Sequence, residues 1–134
     1  MVKNTDYAYI AGILDGEGTI SISNSQYMTV RIRNTNKGVL EWIQGVTGAG
    51  KIYGDSRSKA RRCYSLEMTA NKAAAFLHLV LPYIRIKRKQ AILALNYQCN
   101  GERVSGKRMT QQKQIKRQED YLLMRKLNTE LYVV

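Results

Sequence analysis

Residues 7–18 read YAYIAGILDGEG, and the rest of the chain is arranged around them. Ile10, Ile13 and Leu14 recur at i, i+3 and i+4, the spacing of one apolar helix stripe. Ala8, Gly12 and Gly16 recur at i, i+4 and i+8 and form a second stripe almost without side chains. A glycine inside a helix costs about 1 kcal/mol relative to alanine. Two on one face need a reason, and the close approach of another backbone supplies one. Membrane helices use such seams, but a bilayer span takes about 20 apolar residues, and this stretch is far shorter.

Asp15 and Glu17 follow the seam. A helix C-terminus carries partial negative charge, which disfavours acids there by roughly 0.3–1 kcal/mol each. If a second copy of the helix packs on Ala8, Gly12 and Gly16, four carboxylates crowd one point. Protonation or bound cations must relieve such a cluster, and hard divalent cations take oxygen ligands.

The composition points toward a polyanion. The 134 residues carry 22 Lys+Arg against 10 Asp+Glu, a formal charge of +12. Solubility needs only about 2–8 charges in a small domain, and nucleic acid is the commonest polyanion. A hydrophobic content of 44% fits a folded chain, and the length fits one domain. No signal-peptide pattern and no long apolar run stand in the sequence. The expectation is a protein that is not secreted and does not enter a membrane, placed in the cytoplasm or an organelle matrix. Cys63 and Cys99 lack metal-ligand spacing and are expected as reduced thiols, without a zinc site.

From Thr19 to Asn34 the chain alternates. Ile20, Ile22, Met28, Val30 and Ile32 share one parity; Thr19, Ser21, Ser23, Thr29, Arg31 and Arg33 share the other. This predicts a hairpin with its turn near Asn24–Tyr27. Its polar face holds hydroxyls and arginines and no acid, a chemistry suited to base edges and phosphates. Ser21, Ser23, Gln26, Thr29, Arg31 and Arg33 are the candidate contacts. Asn36–Val46 predicts a short helix on Val39, Leu40 and Ile43, with Trp42 beside the stripe and Gly45, Gly48 and Gly50 breaking the chain after it.

A second hairpin spans Lys51–Thr69, with Ile52, Tyr64, Leu66 and Met68 inward and Lys51, Tyr53, Asp55, Cys63, Ser65 and Glu67 outward. Its basic loop, DSRSKARR at residues 55–62, adds Arg57, Lys59, Arg61 and Arg62 to Lys51, Tyr53 and Ser65 as candidate nucleic-acid contacts. Asn71–Leu81 predicts a helix with Ala74, Leu77, His78 and Leu81 on one face, and His78, the single histidine, reads as a packed residue. Lys87–Cys99 predicts another, covered by Ile92, Leu93 and Leu95. The last helix, about Thr110–Leu131, is expected to pack back through Leu123, Leu127 and Leu131. Between Arg85 and Arg117 stand ten basic residues and one acid, Glu102, which marks a second region for backbone contact.

The order helix, hairpin, helix, hairpin, helix predicts an α+β fold. It has an αββαββα core, a four-stranded antiparallel sheet with helices on one face and the other open to DNA, and C-terminal helices beyond.

Ile10–Gly18, IAGILDGEG, resembles the LAGLIDADG motif of homing endonucleases and group I intron maturases at all nine positions. Ile replaces Leu at the first, Ile and Leu exchange at the fourth and fifth, Gly replaces Ala at the seventh and Glu replaces Asp at the eighth. Leu81–Gln90, LPYIRIKRKQ, resembles that family's segment after the fourth strand, and the αββαββα order agrees with its core. The resemblance extends to about Leu95. The chain reads as one endonuclease domain over residues 1–134, with the core at about 5–97 and a basic helical tail at about 98–134.

A single acidic motif implies a homodimer, with the motif helices packed at the two-fold axis through Ala8, Gly12 and Gly16. The resemblance further implies site-specific cleavage of double-stranded DNA at a long, nearly palindromic site by Mg²⁺-dependent hydrolysis. Glu17 and the Gly16 carbonyl would be the metal ligands. Lys87 would stabilise charge or polarise water, and Asn34 would orient a water. Alignment from Pro82 favours Lys87 over its neighbours Arg85 and Lys89, and Lys89 then becomes a DNA contact. Two other readings stay open: a non-cleaving DNA-binding regulator of the same fold, and an RNA-binding intron maturase. Composition does not separate DNA from RNA.

Overall fold

The computed structural model describes residues 2–23, 27–55, 62–100 and 111–130, with 55 and 100 by backbone alone. Over these residues five α-helices and four strands follow one another in the expected order. Helix α1 (Asn4–Glu17) opens where Asp6 accepts the backbone N–H of Lys3 at 2.9 Å, an anion at the positive end of the helix. It buries Ile10, Ala11 and Leu14 and runs without a loop into β1 (Gly18–Ile22). A Cβ on Gly18 would overlap the Leu14 side chain and stand 2.8 Å from the Leu14 carbonyl oxygen. The last glycine of the motif is therefore demanded by the chain itself.

Strands β2 (Met28–Asn34), β3 (Lys51–Asp55) and β4 (Cys63–Thr69) complete one antiparallel sheet in the order β1-β2-β4-β3. The two hairpins thus meet through β2 and β4 at the centre. Ile20, Ile22, Met28, Val30, Ile32, Leu66 and Met68 fill the inner face. Between the hairpins, α2 (Lys37–Thr47) starts where the Asn36 side chain accepts the Val39 N–H at 3.1 Å, a side-chain cap for an orphan donor. It ends at Gly48, whose φ of 68° is left-handed, a conformation that glycine adopts without a Cβ penalty. Gly45 stays inside the helix.

The later helices follow as α3 (Ala70–Val80), a 3₁₀ turn (Leu81–Tyr83), α4 (Arg88–Asn100) and α5 (Gln111–Glu130). Their buried faces differ from the sequence expectation. In α3 the buried set is Ala73, Phe76, Leu77 and Val80, and His78 is exposed. Phe76, the largest apolar side chain of that helix, turns the face toward itself.

In α4, Ala91, Ala94 and Tyr97 are buried while Ile92 is exposed. Small residues allow the helix close to its neighbours, so counting large aliphatics picks the wrong side. In α5, Asp120 and Met124 are buried and Leu123 is exposed; Leu131 lies outside the described residues. The docking of α5 is largely polar. Arg117 stacks over the Tyr97 ring at 4.0 Å, Gln90 donates to the Leu127 carbonyl at 3.4 Å, and Asn128 donates to the Ile20 carbonyl at 2.9 Å, while the buried Asp120 is paired within the helix by Lys116 at 3.2 Å. A count of apolar residues does not see anchors of this kind. No described helix is long and apolar enough to cross a membrane.

Candidate active site and nucleic-acid face

The C-terminal end of α1 gathers the candidate catalytic residues. Glu17 is exposed there, and Asn34 at the end of β2 donates from Nδ2 to Glu17 Oε2 at 2.5 Å. Asn34 Oδ1 accepts the N–H of Asn36 at 2.8 Å, and Asn36 caps α2. A relay of side-chain amides thus orients the Glu17 carboxylate from the start of the next helix.

Lys87 reaches the same end of α1 from the loop before α4. It is 7% exposed, and its Nζ donates to the Asp15 carbonyl at 2.5 Å. That carbonyl belongs to the last turn, where helices leave oxygens unpaired. A cation there also opposes the negative end of the helix dipole, in a last turn that has no basic residue of its own. Burial holds the Lys87 ammonium below the ordinary lysine range, and the Asp15 carboxylate opposes the shift.

Asp15 itself is turned inward. Its two oxygens accept the backbone N–H groups of Arg85 at 2.9 Å and Lys87 at 3.1 Å. Of the two motif acids, one clamps a loop and the other, Glu17, faces outward. Arg85 and Lys89 are exposed, so the buried position at Lys87 stands apart from its basic neighbours.

The glycine seam lies beside this cluster. A Cβ at Gly12 or Gly16 would meet nothing within 4 Å, and Ala8 is exposed. An open hollow of about 550 Å³ runs along it, lined by Tyr9, Gly12, Ile13, Gly16 and Val39, with Glu17 and Asn34 at one end. Tyr9, 60% exposed, stands edge-on to Trp42 with ring centroids 5.6 Å apart. Gly18 is required by its own chain; nothing among the described residues requires Gly12 and Gly16 to be small.

The oxygens of Glu17 and Gly16 suit a hard cation such as Mg²⁺. Among the described residues, however, no group of three or more His, Cys, Asp or Glu comes together. One carboxylate and one backbone carbonyl are fewer oxygens than a hard divalent cation takes.

The outer face of the sheet carries the candidate nucleic-acid contacts in register. One rung reads Thr19, Arg31, Glu67, Lys51; the next reads Arg33, Ser65, Tyr53; on the other side Ser21 and Thr29 stand with Thr69. Arg31, Arg33, Lys51 and Tyr53 are exposed, and Ser21, Thr29 and Ser65 are half-buried. Arg62 is exposed just before β4. Ser23 spends its hydroxyl oxygen on the Tyr27 N–H at 3.2 Å, closing its hairpin. Lys89 lies at the start of α4, off the sheet. Gln26, Arg57, Lys59 and Arg61 lie outside the described residues. The face is not free of acid, as the first hairpin read alone implied. Glu67 of β4 pairs with Arg31 at 2.7 Å.

Solved structures share this architecture. The homing endonuclease I-CvuI, in complex with its target in the presence of Ca, matches 94% of this chain and 82% of its own at 19% identity, with a TM-score of 0.70. The archaeal intron-encoded homing endonuclease I-Vdi141I, complexed with DNA, matches 92% of this chain and 84% of its own at 16% identity, with a TM-score of 0.73. The I-SmaMI LAGLIDADG homing endonuclease, bound to cleaved DNA, matches 91% of this chain at 18% identity and a TM-score of 0.57.

The fold is that of the LAGLIDADG homing endonucleases. This chain spans 42% of I-SmaMI but most of I-CvuI and I-Vdi141I. No family model and no curated sequence matches it.

Within the homing endonuclease fold, three features escaped the sequence reading. The inward clamp of Asp15 depends on backbone donors some 70 positions away, which leave no trace in residue types. The Arg31–Glu67 pair depends on the register of β2 on β4, and two hairpins read separately do not supply it. The Tyr9–Trp42 contact joins α1 to α2 beside the seam; the aromatic residues were legible, their meeting was not.

Proposed function

We propose that this chain is one subunit of a homodimeric, site-specific endonuclease that cuts double-stranded DNA with Mg²⁺. The observation that carries the reading is the bare seam of Gly12 and Gly16 ending at an outward Glu17. Packing the seam on its twin brings two glutamates to one axis and completes the donor set that a single chain leaves half made. The likeness to homing endonucleases solved with DNA, one in the presence of Ca and one in the presence of Mg with its DNA not cleaved, supports DNA as the substrate and a divalent cation as the ligand.

A divalent cation held by the paired Glu17 carboxylates and the Gly16 carbonyls would supply an activated water and neutralise charge at phosphorus and the leaving oxygen. The protein's own part is positioning and charge. Asn34 holds one oxygen of Glu17 and leaves the other outward. Lys87 keeps an ammonium, poorly solvated and fixed to the Asp15 carbonyl, at the helix end that carries Glu17. The outer sheet faces, doubled by a two-fold axis, form a long basic saddle that reads a near-palindromic duplex.

The test is selection of cleaved sites from a random duplex library in Mg²⁺, repeated with Glu17→Gln. Cutting at a symmetric site that the variant no longer cuts supports the reading. Binding without cutting in Mg²⁺ turns it toward a regulator, and preference for a structured RNA over duplex DNA turns it toward a maturase. With about 6–10 phosphate contacts, binding should weaken roughly 10³–10⁵-fold between 50 and 200 mM salt.

A further inference from the structure

Glu67 is out of place on a surface meant for a polyanion. It stands near the middle of the sheet face, on a central strand, directly across from Arg31 on β2 and Lys51 on β3. Its oxygens are engaged: Oε1 accepts from Arg31 Nε at 2.8 Å and Nη2 at 2.7 Å, and Oε2 accepts from the Ser65 hydroxyl at 3.1 Å. An acid at this point repels phosphate and takes a positive charge out of circulation. A face built only to grip backbone would be better without it.

The geometry of the pair supplies the reason. Nε and Nη2 form the side edge of the guanidinium. Glu67 occupies that edge with one oxygen, and Ser65 steadies the other. The end edge, Nη1 with the second hydrogen of Nη2, is a separate two-donor fork. Arg31 keeps 49% of its side chain exposed, against 25% for Glu67. A fork of that spacing is what reads guanine through O6 and N7 in the major groove. A lone exposed arginine would sample many rotamers and bind phosphate as readily as base. Buttressed by Glu67, it is held to one direction before DNA arrives.

We propose that Glu67 is a positioning residue for sequence readout. It fixes Arg31 for recognition of one guanine in each half-site and, through its own charge, keeps phosphate from competing for the same guanidinium. This rests on the DNA-cutting reading above and adds a specificity role for an acid to it.

The experiment is binding selection from randomised duplexes in Ca²⁺ at fixed salt, comparing wild type, Arg31→Ala, Glu67→Gln, Glu67→Ala and the double variant Arg31→Ala/Glu67→Ala. Wild type should prefer guanine at one symmetric pair of positions by about 10-fold or more, the size of a good bidentate contact. Arg31→Ala should erase that preference and leave the others. Glu67→Ala should reduce it several-fold at the same positions while tightening binding to non-specific duplex. Glu67→Gln keeps the shape without the charge and should fall between. In the Arg31→Ala background, removing Glu67 should leave the base profile unchanged, because it acts through Arg31. A Glu67→Ala profile identical to wild type overturns the assignment, as does a loss at positions that Arg31→Ala does not touch. A wild-type protein with no sequence preference at all overturns the endonuclease reading itself, and the assignment with it.

Discussion

Lys87 is tied to Asp15 twice: its ammonium donates to the Asp15 carbonyl at 2.5 Å, and its backbone N–H donates to the Asp15 carboxylate at 3.1 Å. The loop before α4 and the end of α1 are therefore pinned together. The two acids of the motif, separated by Gly16, face opposite ways, Asp15 into the loop and Glu17 outward, and each position has its own measurable signature.

Asp15→Asn replaces a two-oxygen acceptor with an amide. Its NH₂ then faces one of two backbone donors, Arg85 or Lys87. A buried or half-buried donor left unmatched costs about 1–3 kcal/mol, so the urea midpoint should fall, and cleavage should fall because Lys87 loses its seat. Glu17→Gln changes an exposed side chain whose amide can still meet Asn34 after a flip. Its stability should stay within about 0.5 kcal/mol of wild type while cleavage disappears. Equal losses of stability in both variants would contradict this division of labour.

Gly12→Leu tests the proposed pairing of two motif helices. Among the described residues a Cβ at this position meets nothing within 4 Å and Gly12 opens on the hollow beside the seam, and leucine is favoured over glycine in a helix by up to about 1 kcal/mol. The isolated subunit should therefore be as stable as wild type or more so, whereas a helix packed on this seam has no room for it. Sedimentation should find a folded monomer that no longer cuts. A dimer that survives the substitution would place the two-fold axis elsewhere.

How far the sequence revealed this molecule depended on where its signals were local. The alternation from Thr19 to Asn34 set the parity of both strands of the first hairpin because each strand buries one face. The empty stripe of Ala8, Gly12 and Gly16 was visible because glycine is costly in helices. Lys87 was picked out from Arg85 and Lys89 only by resemblance; its burial follows from Asp15, 72 positions earlier. The faces of α4 and α5 stayed hidden because alanines and an Arg–Tyr stack, rather than large aliphatics, make their contacts.

Gly18→Ala tests the junction where α1 turns into β1. Its Cβ would stand 2.8 Å from the Leu14 carbonyl oxygen, a backbone atom that cannot swing aside, and the adjacent Leu14 side chain is fully buried. Overpacking of this sort costs about 1–3 kcal/mol. Gly16→Ala on the same helix meets nothing within 4 Å among the described residues and should leave the thermal midpoint of a diluted, monomeric sample unchanged or raised. If both alanines lower that midpoint alike, the motif glycines are not divided between internal and external demands.

The depressed affinity of Lys87 for its proton gives activity and stability opposite trends with pH. An ordinary lysine titrates near 10.5, and burial holds this one lower. Well below the folded value both states hold the proton, and the folded chain bears the full cost of a desolvated ammonium. As pH rises through the folded value toward 10.5, the unfolded state binds the extra proton, so the contribution of Lys87 to stability increases. Cleavage moves the other way if Lys87 works as a cation: its rate should decline on the alkaline side through the same depressed value, short of 10.5. Lys87→Arg keeps the charge on a group that stays protonated throughout that range. It should cut more slowly, since a planar guanidinium replaces a compact ammonium in a tight seat, but its rate should not decline over the alkaline range where wild type does. A shared alkaline limb in the two profiles would assign the titration to the bound water or another group and remove Lys87 from the charge-stabilising role.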